Sequence, residues 1–310
     1  MSKNLLAKYA KSFNWAGFFL PSKEYEKSLV VYNFCRTLDD IADEDQDLYL
    51  NFDNDPSDQY RGLTPKEILR LYRIEWRSKT NFNKIIKNMW ELFDKEDISR
   101  KIVEDLFDGL ESDLSESVKI KTKKDLLIYC YRVAGTVGIM MAKVLQVKDT
   151  RALIGAIDLG IAMQLTNISR DVMEDGKKNR EYIKPNFEEI KKNIFLADQF
   201  YDSSFSSIKK IPLKFRFAIL VARRIYRQIG YKILKKKTME NYKKSGKIYV
   251  SKFEKLIQTI LSLYDLFKLS LMNPEKHQME KDYFLIKNEI NLDERIWLYN
   301  YWWRLCGFIT

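Results

Sequence analysis

The run from Ala152 to Asp175 narrows the available folds more than any other part of the chain. Ala152 to Ser169 is apolar enough to be either a membrane-spanning helix or a helix buried in a protein core. It carries Asp158, Gln164 and Asn167, and Arg170 and Asp171 follow at once. Each of those groups is costly inside a bilayer, so the run reads as a buried helix. Asn167, Asp171 and Asp175 then repeat every four residues along one stripe, rising about 6 Å per step. A core helix that turns a polar stripe inward must satisfy it with partners, and the rest of the chain has to supply them.

Helices are the natural source. Among 310 residues there are only 11 glycines and 6 prolines, too few for the many turns of a strand-rich fold. The segments between are rich in Leu, Ile, Lys and Glu. The pattern predicts an all-α chain with helices over 22–44, 64–78, 81–94, 97–114, 123–146, 149–176, 187–203, 212–236, 247–271 and 279–304. Glu44 to Gln59 reads as a polar loop, and Thr64-Pro65-Lys66-Glu67 as a capped helix start. No repeat or Gly/Ser-rich joint divides the chain, so one domain is expected. Gly135 and Gly138 fall inside an apolar helix, which implies a close approach there, either by another helix or by a ligand.

The net charge of +11 suits an anionic partner without choosing one. A nucleic-acid binder would fit the charge and leave the acid stripes unexplained. Three widely spaced cysteines, Cys35, Cys130 and Cys306, read as free thiols of a reduced compartment. One histidine, His277, excludes a multi-histidine zinc site and a histidine-based triad.

A second acid cluster lies far from the first. In Arg36-Thr-Leu-Asp39-Asp40-Ile-Ala-Asp43-Glu44, Asp39 and Asp43 share a helix face and repel one another unless a cation lies between them. Hard divalent cations prefer oxygen ligands, and magnesium is usually held by one or two carboxylates plus substrate phosphates. Two such helices facing across a cavity could hold a diphosphate through Mg²⁺, with Mn²⁺ as a possible substitute. Arg36, Arg170, Lys177, Lys178, Arg180 and Tyr182 add groups able to donate to phosphate oxygens.

These stretches together resemble the squalene/phytoene synthase family. Lys11-Ser12-Phe13 with Trp15-Ala16 and Leu20-Pro21 is similar to the family's N-terminal segment. Tyr32 to Glu44 is similar to its first aspartate-rich motif, and Tyr129-Cys-Tyr-Arg-Val-Ala-Gly135-Thr-Val-Gly138 to its central block. Gln164 to Asp175, followed by Asn179-Arg180-Glu181-Tyr182, is similar to its second motif and phosphate loop. Ala222-Arg-Arg-Ile-Tyr226 matches a further segment, whereas Lys247 stands where the family commonly has arginine. Lysine lacks the bidentate fork, which puts a phosphate role for Lys247 in doubt.

The resemblance implies a single isoprenoid-synthase-type helical bundle around a central cavity. It implies that Asp39, Asp43, Asn167, Asp171 and Asp175 bind Mg²⁺, with Asp40 assisting. It also implies that Ser12, Arg36, Arg170, Arg180 and Tyr182 engage diphosphates, and that Tyr129, Gln164 and Tyr226 line the reaction zone. Asp39, Asp43, Tyr129, Asp171 and Asp175 are then the catalytic set. The implied reaction is head-to-head condensation of two geranylgeranyl diphosphates to phytoene, without NADPH. Family alternatives are squalene, dehydrosqualene and hydroxysqualene synthases acting on farnesyl diphosphate. A head-to-tail prenyltransferase or terpene cyclase lacks the central block, and a non-catalytic assembly relative would tend to lose the aspartates.

An apolar cavity must shield a carbocation from water, and Phe18, Phe19, Phe34, Val133, Val137, Met140, Met141, Ile157 and Leu165 are candidate walls. The start of the chain has no signal-peptide core, so a cytoplasmic location is expected. The aromatic run Trp297 to Trp303, between Arg295 and Arg304, either rests on the inner face of the membrane or closes the core.

Overall fold

Helices dominate the computed structural model, which describes residues 11–43, 60, 62–79, 83–96, 98–272 and 277–296. They are α1 (Lys11–Gly17), α2 (Ser22–Ala42), α3 (Pro65–Ser78), α4 (Lys84–Glu96), α5 (Arg100–Asp113), α6 (Lys123–Cys130), α7 (Thr136–Val144), α8 (Thr150–Lys177), α9 (Phe187–Ser207), α10 (Leu213–Leu234), α11 (Met239–Lys244), α12 (Lys252–Leu271), α13 (Glu280–Lys287) and α14 (Leu292–Ile296). A π-helical turn, Tyr131–Gly135, joins α6 to α7. The capping chemistry matches the starts. Asp149 accepts from the N–H groups of Arg151 and Ala152 to begin α8, and Thr64 with Glu67 forms a capping box at α3.

The apolar run is the axis of this arrangement. Helix α8 packs against α6, the π-turn, α7, α9 and α10, and Leu153, Ile157, Ile161 and Leu165 are buried in the core. Two stretches, Lys123–Val144 and Thr150–Lys177, are long and apolar enough to cross a membrane by length and composition, but most of each is buried within the protein. Several polar groups in α8 find partners from neighbouring segments. Asp158 accepts from Ser203 Oγ at 2.7 Å and lies 2.8 Å from His277 Nε2. Asn193 donates to the Leu165 carbonyl and to Ser169 Oγ at 2.7 and 2.8 Å. His277, placed by the sequence in a polar tail segment, thus docks that segment onto the core helix.

Gly138 and Gly160 explain how the axis sits so close to the π–α7 segment. A Cβ on Gly138 would lie 2.1 Å from the Ala156 carbonyl oxygen, and one on Gly160 would lie 2.3 Å from that of Ala134. Of the two readings of the in-helix glycines, helix-on-helix approach is the one found at Gly138.

Several expected boundaries shift. The helix expected over 247–271 begins at Lys252, because Ser251 and Glu254 form a capping box there, and a separate short α11 precedes it. The helix expected from 279 breaks after Lys287, and the side chain of Asn291 accepts from Glu294 N–H at the start of α14. The short α1 was not expected, nor was a two-residue parallel pairing of β1 (Val118–Lys119) with β2 (Arg180–Glu181). Arg295 forks onto the buried Asp105 at 2.9 and 2.8 Å, so the last described helix is tied to the core. Residues 44–59 and the aromatic run from 297 lie outside the described residues.

Candidate active site

Two half-exposed stripes run along otherwise buried helices. On α2 the stripe is Tyr32, Arg36, Asp39 and Asp43; on α8 it is Gln164, Asn167, Arg170, Asp171 and Asp175. Both acid groups lie at the C-terminal ends of their helices, where the helix dipole disfavours negative charge. Asp39, Asp43 and Asp171 are each met by a cation.

The decisive contact joins the two stripes. Arg180 donates from Nη1 to Asp43 Oδ1 at 2.5 Å and from Nη2 to the Ala42 carbonyl at 2.7 Å. Lys178 Nζ lies 3.1 Å from the same Asp43 oxygen. The C-terminal ends of α2 and α8 are therefore neighbours. Arg180 is held for this by the β1–β2 pairing, in which Val118 and Ile120 donate to the Asn179 and Glu181 carbonyls on either side of it, each at 3.0 Å.

The other pairs are local. Arg36 donates to Asp39 at 2.9 Å and also binds Asp40. Arg170 forks onto Asp171 at 2.8 and 2.5 Å. Lys247 donates to Glu174 at 2.6 Å and reaches Asp171 at 3.6 Å, so this residue stands at the site despite its departure from the family's arginine. Gln164 Oε1 accepts from Asn167 Nδ2 at 3.3 Å. Ser12 is half-buried on α1, next to Phe13, whose ring centroid is 4.9 Å from that of Tyr226 on α10. Tyr226 is near both stripes: burial raises its pKa, while Arg170 and Arg36 pull it down and Asp171 pushes it up.

Asp40 does not share the α2 stripe. Its side chain is fully buried and pairs with Arg36, so the structure places it as a hold on that guanidinium rather than beside Asp39 and Asp43. The expected cavity walls also divide. Val133, Val137 and Met141 keep accessible surface along one side of the π–α7 segment. Phe34, Met140, Ile157 and Leu165 are sealed in the core. Phe18 is 71% exposed on the outside and Phe19 packs edge-on to Phe217. Phe34, Met140, Ile157 and Leu165 are sealed because they are on the helix faces that pack into the hydrophobic core, and the turn after α1 carries Phe18 outward.

A third carboxylate, not singled out from the sequence, completes the centre. Asp113 ends α5 and is buried. Tyr129 donates to its Oδ2 at 2.8 Å and Tyr182 to its Oδ1 at 2.6 Å. The two hydroxyls are 3.0 Å apart and the rings stack at 4.6 Å. Asp105, Gly109 and Asp113 follow the same four-residue spacing between Leu106 and Leu110, which is the signal that could have found it.

Crowding of acids sets the electrostatics. Burial, then repulsion from Asp171, pushes Asp175 up to about 7, against the pull of Arg180. Asp39 is raised by its protein surroundings and by Asp43, although 48% of its side chain is reachable by water. Burial would raise Asp43 too, but the hydrogen bond from Arg180 and the charge of Lys178 hold it below the usual carboxylate range. Burial raises Asp113, with Tyr182, Arg180 and Tyr129 opposing.

Among the described residues no three acid side chains converge on one point as a ready-made cage. The donor set nonetheless fits a hard divalent cation. It consists of oxygens, the carboxylates repel one another, and the buried Asn167 Oδ1 has no hydrogen-bond partner among the described residues. Those are the properties expected where one or two carboxylates act together with substrate phosphates.

Comparison with known proteins agrees with the fold and the motif order. The family model described as squalene/phytoene synthase matches residues 6–185, and the chain belongs to that family. It is thereby a prenyltransferase. It is 31% identical over 252 residues to the 15-cis-phytoene synthase of Enterobacter agglomerans, covering 73% of this chain and 82% of that one. It is 28% identical over 277 residues to the 4,4'-diapophytoene synthase of Staphylococcus haemolyticus, covering 81% and 91%. A crystal structure of a dehydrosqualene synthase in complex with ligand superposes with a TM-score of 0.67 at 24% identity, covering 85% and 94%, which supports the all-α fold.

Proposed function

We propose that the chain joins two geranylgeranyl diphosphates head to head, through a cyclopropylcarbinyl (prephytoene) diphosphate, to phytoene, releasing two diphosphates without NADPH. The observation that supports this most is the grip of Arg180 and Lys178 on Asp43. It draws two acid-bearing helix ends together at one place, as a site for a diphosphate with its metal ions requires. In this reading Asp39, Asp43, Asn167, Asp171 and Asp175 hold Mg²⁺, which when bound neutralises the departing diphosphate.

The chain's own residues do the rest. Arg36, Arg170 and Arg180, now paired with Asp39 and Asp40, Asp171 and Asp43, would bind diphosphate oxygens where those acids held a metal. Asp113 accepts from the hydroxyls of both Tyr129 and Tyr182 and so fixes the two stacked rings beside Arg180, which is left to meet the diphosphate. Val133, Val137 and Met141 exclude water from the allylic cation. The C2–C3 double bond of the second substrate attacks C1 of the first, and loss of a proton closes the cyclopropane. A second ionisation opens the ring, and a second proton loss gives the 1–1′ linked triene.

The Staphylococcus relative, whose length the chain covers almost fully, favours a second reading with farnesyl diphosphate as substrate. Incubating the purified full chain with each diphosphate, with and without NADPH, and weighing the product by mass spectrometry separates them. A C40 hydrocarbon from geranylgeranyl diphosphate, unaffected by NADPH, is expected. A C30 product from farnesyl diphosphate alone would replace the reading, as would a strict need for NADPH.

A further inference from the structure

The most unusual surface of the molecule lies away from the acid stripes, on α12. Phe253, Leu256, Ile260, Tyr264, Phe267 and Leu271 follow steps of three and four residues, which is one helical stripe about 27 Å long. Phe253, Ile260, Phe267 and Leu271 are 59–71% exposed. A contiguous apolar face of that size on a folded protein marks a contact surface.

The charges on the same helix point to the kind of contact. Its two acids face away from the stripe. Glu254 is held by Lys232 at 2.7 Å and Asp265 by Arg224 at 2.8 Å. The other exposed positions of α12 are Ile257, Leu261, Leu263, Ser270 and two lysines, Lys252 and Lys268, at the two ends. The outer face is therefore apolar and cationic, without a carboxylate.

Beside it, a groove of about 270 Å³ between α10 and α12 is lined by Arg223, Arg224, Arg227 and Lys268; the arginines pair with Asp202, Asp265 and Asp198, and one more cation, Lys268, stands over the Phe205 ring. Tyr264 and Lys268 belong both to the exposed helix face and to the groove wall, so the groove opens at the edge of the stripe. The guanidinium of Arg223 and the amine of Lys268 lie 4.9 and 5.7 Å from the Phe205 ring centroid. Burial, with a smaller push from Arg227, lowers the pKa of Arg223 to about 10, against the pull of Asp202 and Asp265.

We propose that α12 is an interfacial docking helix for an anionic lipid bilayer: the Phe253–Leu271 stripe enters the headgroup boundary and the arginine-lined groove takes a lipid phosphate. An amphipathic helix with Phe and Leu on one face and lysines at its borders is the arrangement such surfaces bind. A second copy of the chain is the poorer occupant. It would bring the same cations against this face with no acid to meet them, whereas an anionic leaflet supplies the missing charge. The inference goes beyond the catalytic reading and does not depend on it.

The test is flotation of the full chain with vesicles of phosphatidylcholine alone and of phosphatidylcholine mixed with phosphatidylglycerol. Strong co-flotation with the anionic vesicles, weaker with the neutral ones and reduced by salt, is expected. The double variant I260E/F267E should bind roughly tenfold or more weakly while keeping its melting profile, and K268E should lose part of the preference for phosphatidylglycerol. A chain lacking residues 297–310 should still float. The proposal is overturned if the full chain stays unbound on anionic vesicles, if I260E/F267E floats like the parent, or if binding vanishes with residues 297–310 and ignores the α12 variants. It is equally overturned if I260E/F267E converts a dimer to a monomer in sizing while leaving vesicle binding intact.

Discussion

Replacing Asp175 with asparagine should make the metal-free protein more stable while removing its activity. The carboxyl titrates near 7 instead of its ordinary 3.8 because it is buried beside Asp171. That difference is about 3 pH units, with a ceiling of ~4 kcal/mol at ~1.4 kcal/mol per unit. Water reaching the half-buried side chain reduces this to roughly 1–2 kcal/mol. The sign follows from proton counting. Between about pH 4 and pH 7 the folded state holds a proton that the unfolded state has released, so stability falls as pH rises through that window and levels off above it. Asparagine carries no such proton. In EDTA, Asp175→Asn should match the parent near pH 4.5 and exceed it at pH 8 by that 1–2 kcal/mol, about 2–5 °C in midpoint. Thermal melts at the two pH values read the difference directly, and Asp39, also raised, cancels because both proteins contain it. Adding Mg²⁺ and diphosphate should stabilise the parent far more than the variant. A variant less stable than the parent at pH 8 in EDTA, or one with an unchanged pH slope, would refute the reasoning.

Arg180→Lys keeps the charge but loses the fork that spans Asp43 and the Ala42 carbonyl. A charge-assisted bond of that kind contributes ~1.5–3 kcal/mol, so kcat/KM should fall roughly 10- to 100-fold in steady-state assays. Asp113→Asn turns one acceptor toward two tyrosine donors into a third donor. Urea midpoints should drop by ~1–3 kcal/mol, and a double-mutant cycle with Tyr182→Phe should show coupling between the two changes. Gly138→Ala puts a methyl 2.1 Å from the Ala156 oxygen, which should lower stability by ~1–3 kcal/mol or more in thermal melts. Asp39→Asn and Asp171→Asn should each abolish turnover of geranylgeranyl diphosphate with Mg²⁺, as measured by product release.

How much of this was visible beforehand depended on whether the signal was local. The axis of α8, the cap at Thr64 and the stripe from Asn167 to Asp175 are set by spacing within one helix, and the structure has them close to where periodicity puts them. Asp113 was passed over because its meaning comes from two tyrosines that are 16 and 69 residues away in the chain. Asp40 was grouped with its neighbours because it is adjacent in sequence, but one residue is a rotation of about 100° around a helix, enough to carry its side chain from the stripe into the core. The break after Lys287 and the late start of α12 depend on single caps that compete with continuous apolar patterns. The exposed face of α12 has the same periodicity as a core helix. Which side of such a helix is covered is decided by tertiary packing, on which periodicity is silent.

The acid stripes and the α12 face follow one logic, in opposite senses. Each is a place where the folded protein tolerates an arrangement that costs stability in isolation. Carboxylates stand at the negative ends of two helices, and apolar side chains stand in water on an outer face bordered by Lys252 and Lys268. In the first case the chain supplies temporary partners, Arg180, Lys178, Arg36 and Arg170, which satisfy Asp43, Asp39 and Asp171 but leave Asn167 Oδ1 without a partner among the described residues and Asp175 with a raised pKa. Arginines engaged in this way are already within reach of the site, so cation and anion can arrive together without bringing an uncompensated charge into it. Under the proposed function, metal and diphosphate binding would be mutually dependent, because the acids would be freed for metal only as their arginines turned to phosphate. Titrating Mg²⁺ with and without inorganic diphosphate by calorimetry should therefore show affinity raised roughly 5- to 100-fold by the second ligand. Independent binding of the two would mean that the arginines are fixed structural partners of the acids, and that the site is built in some other way than by exchange.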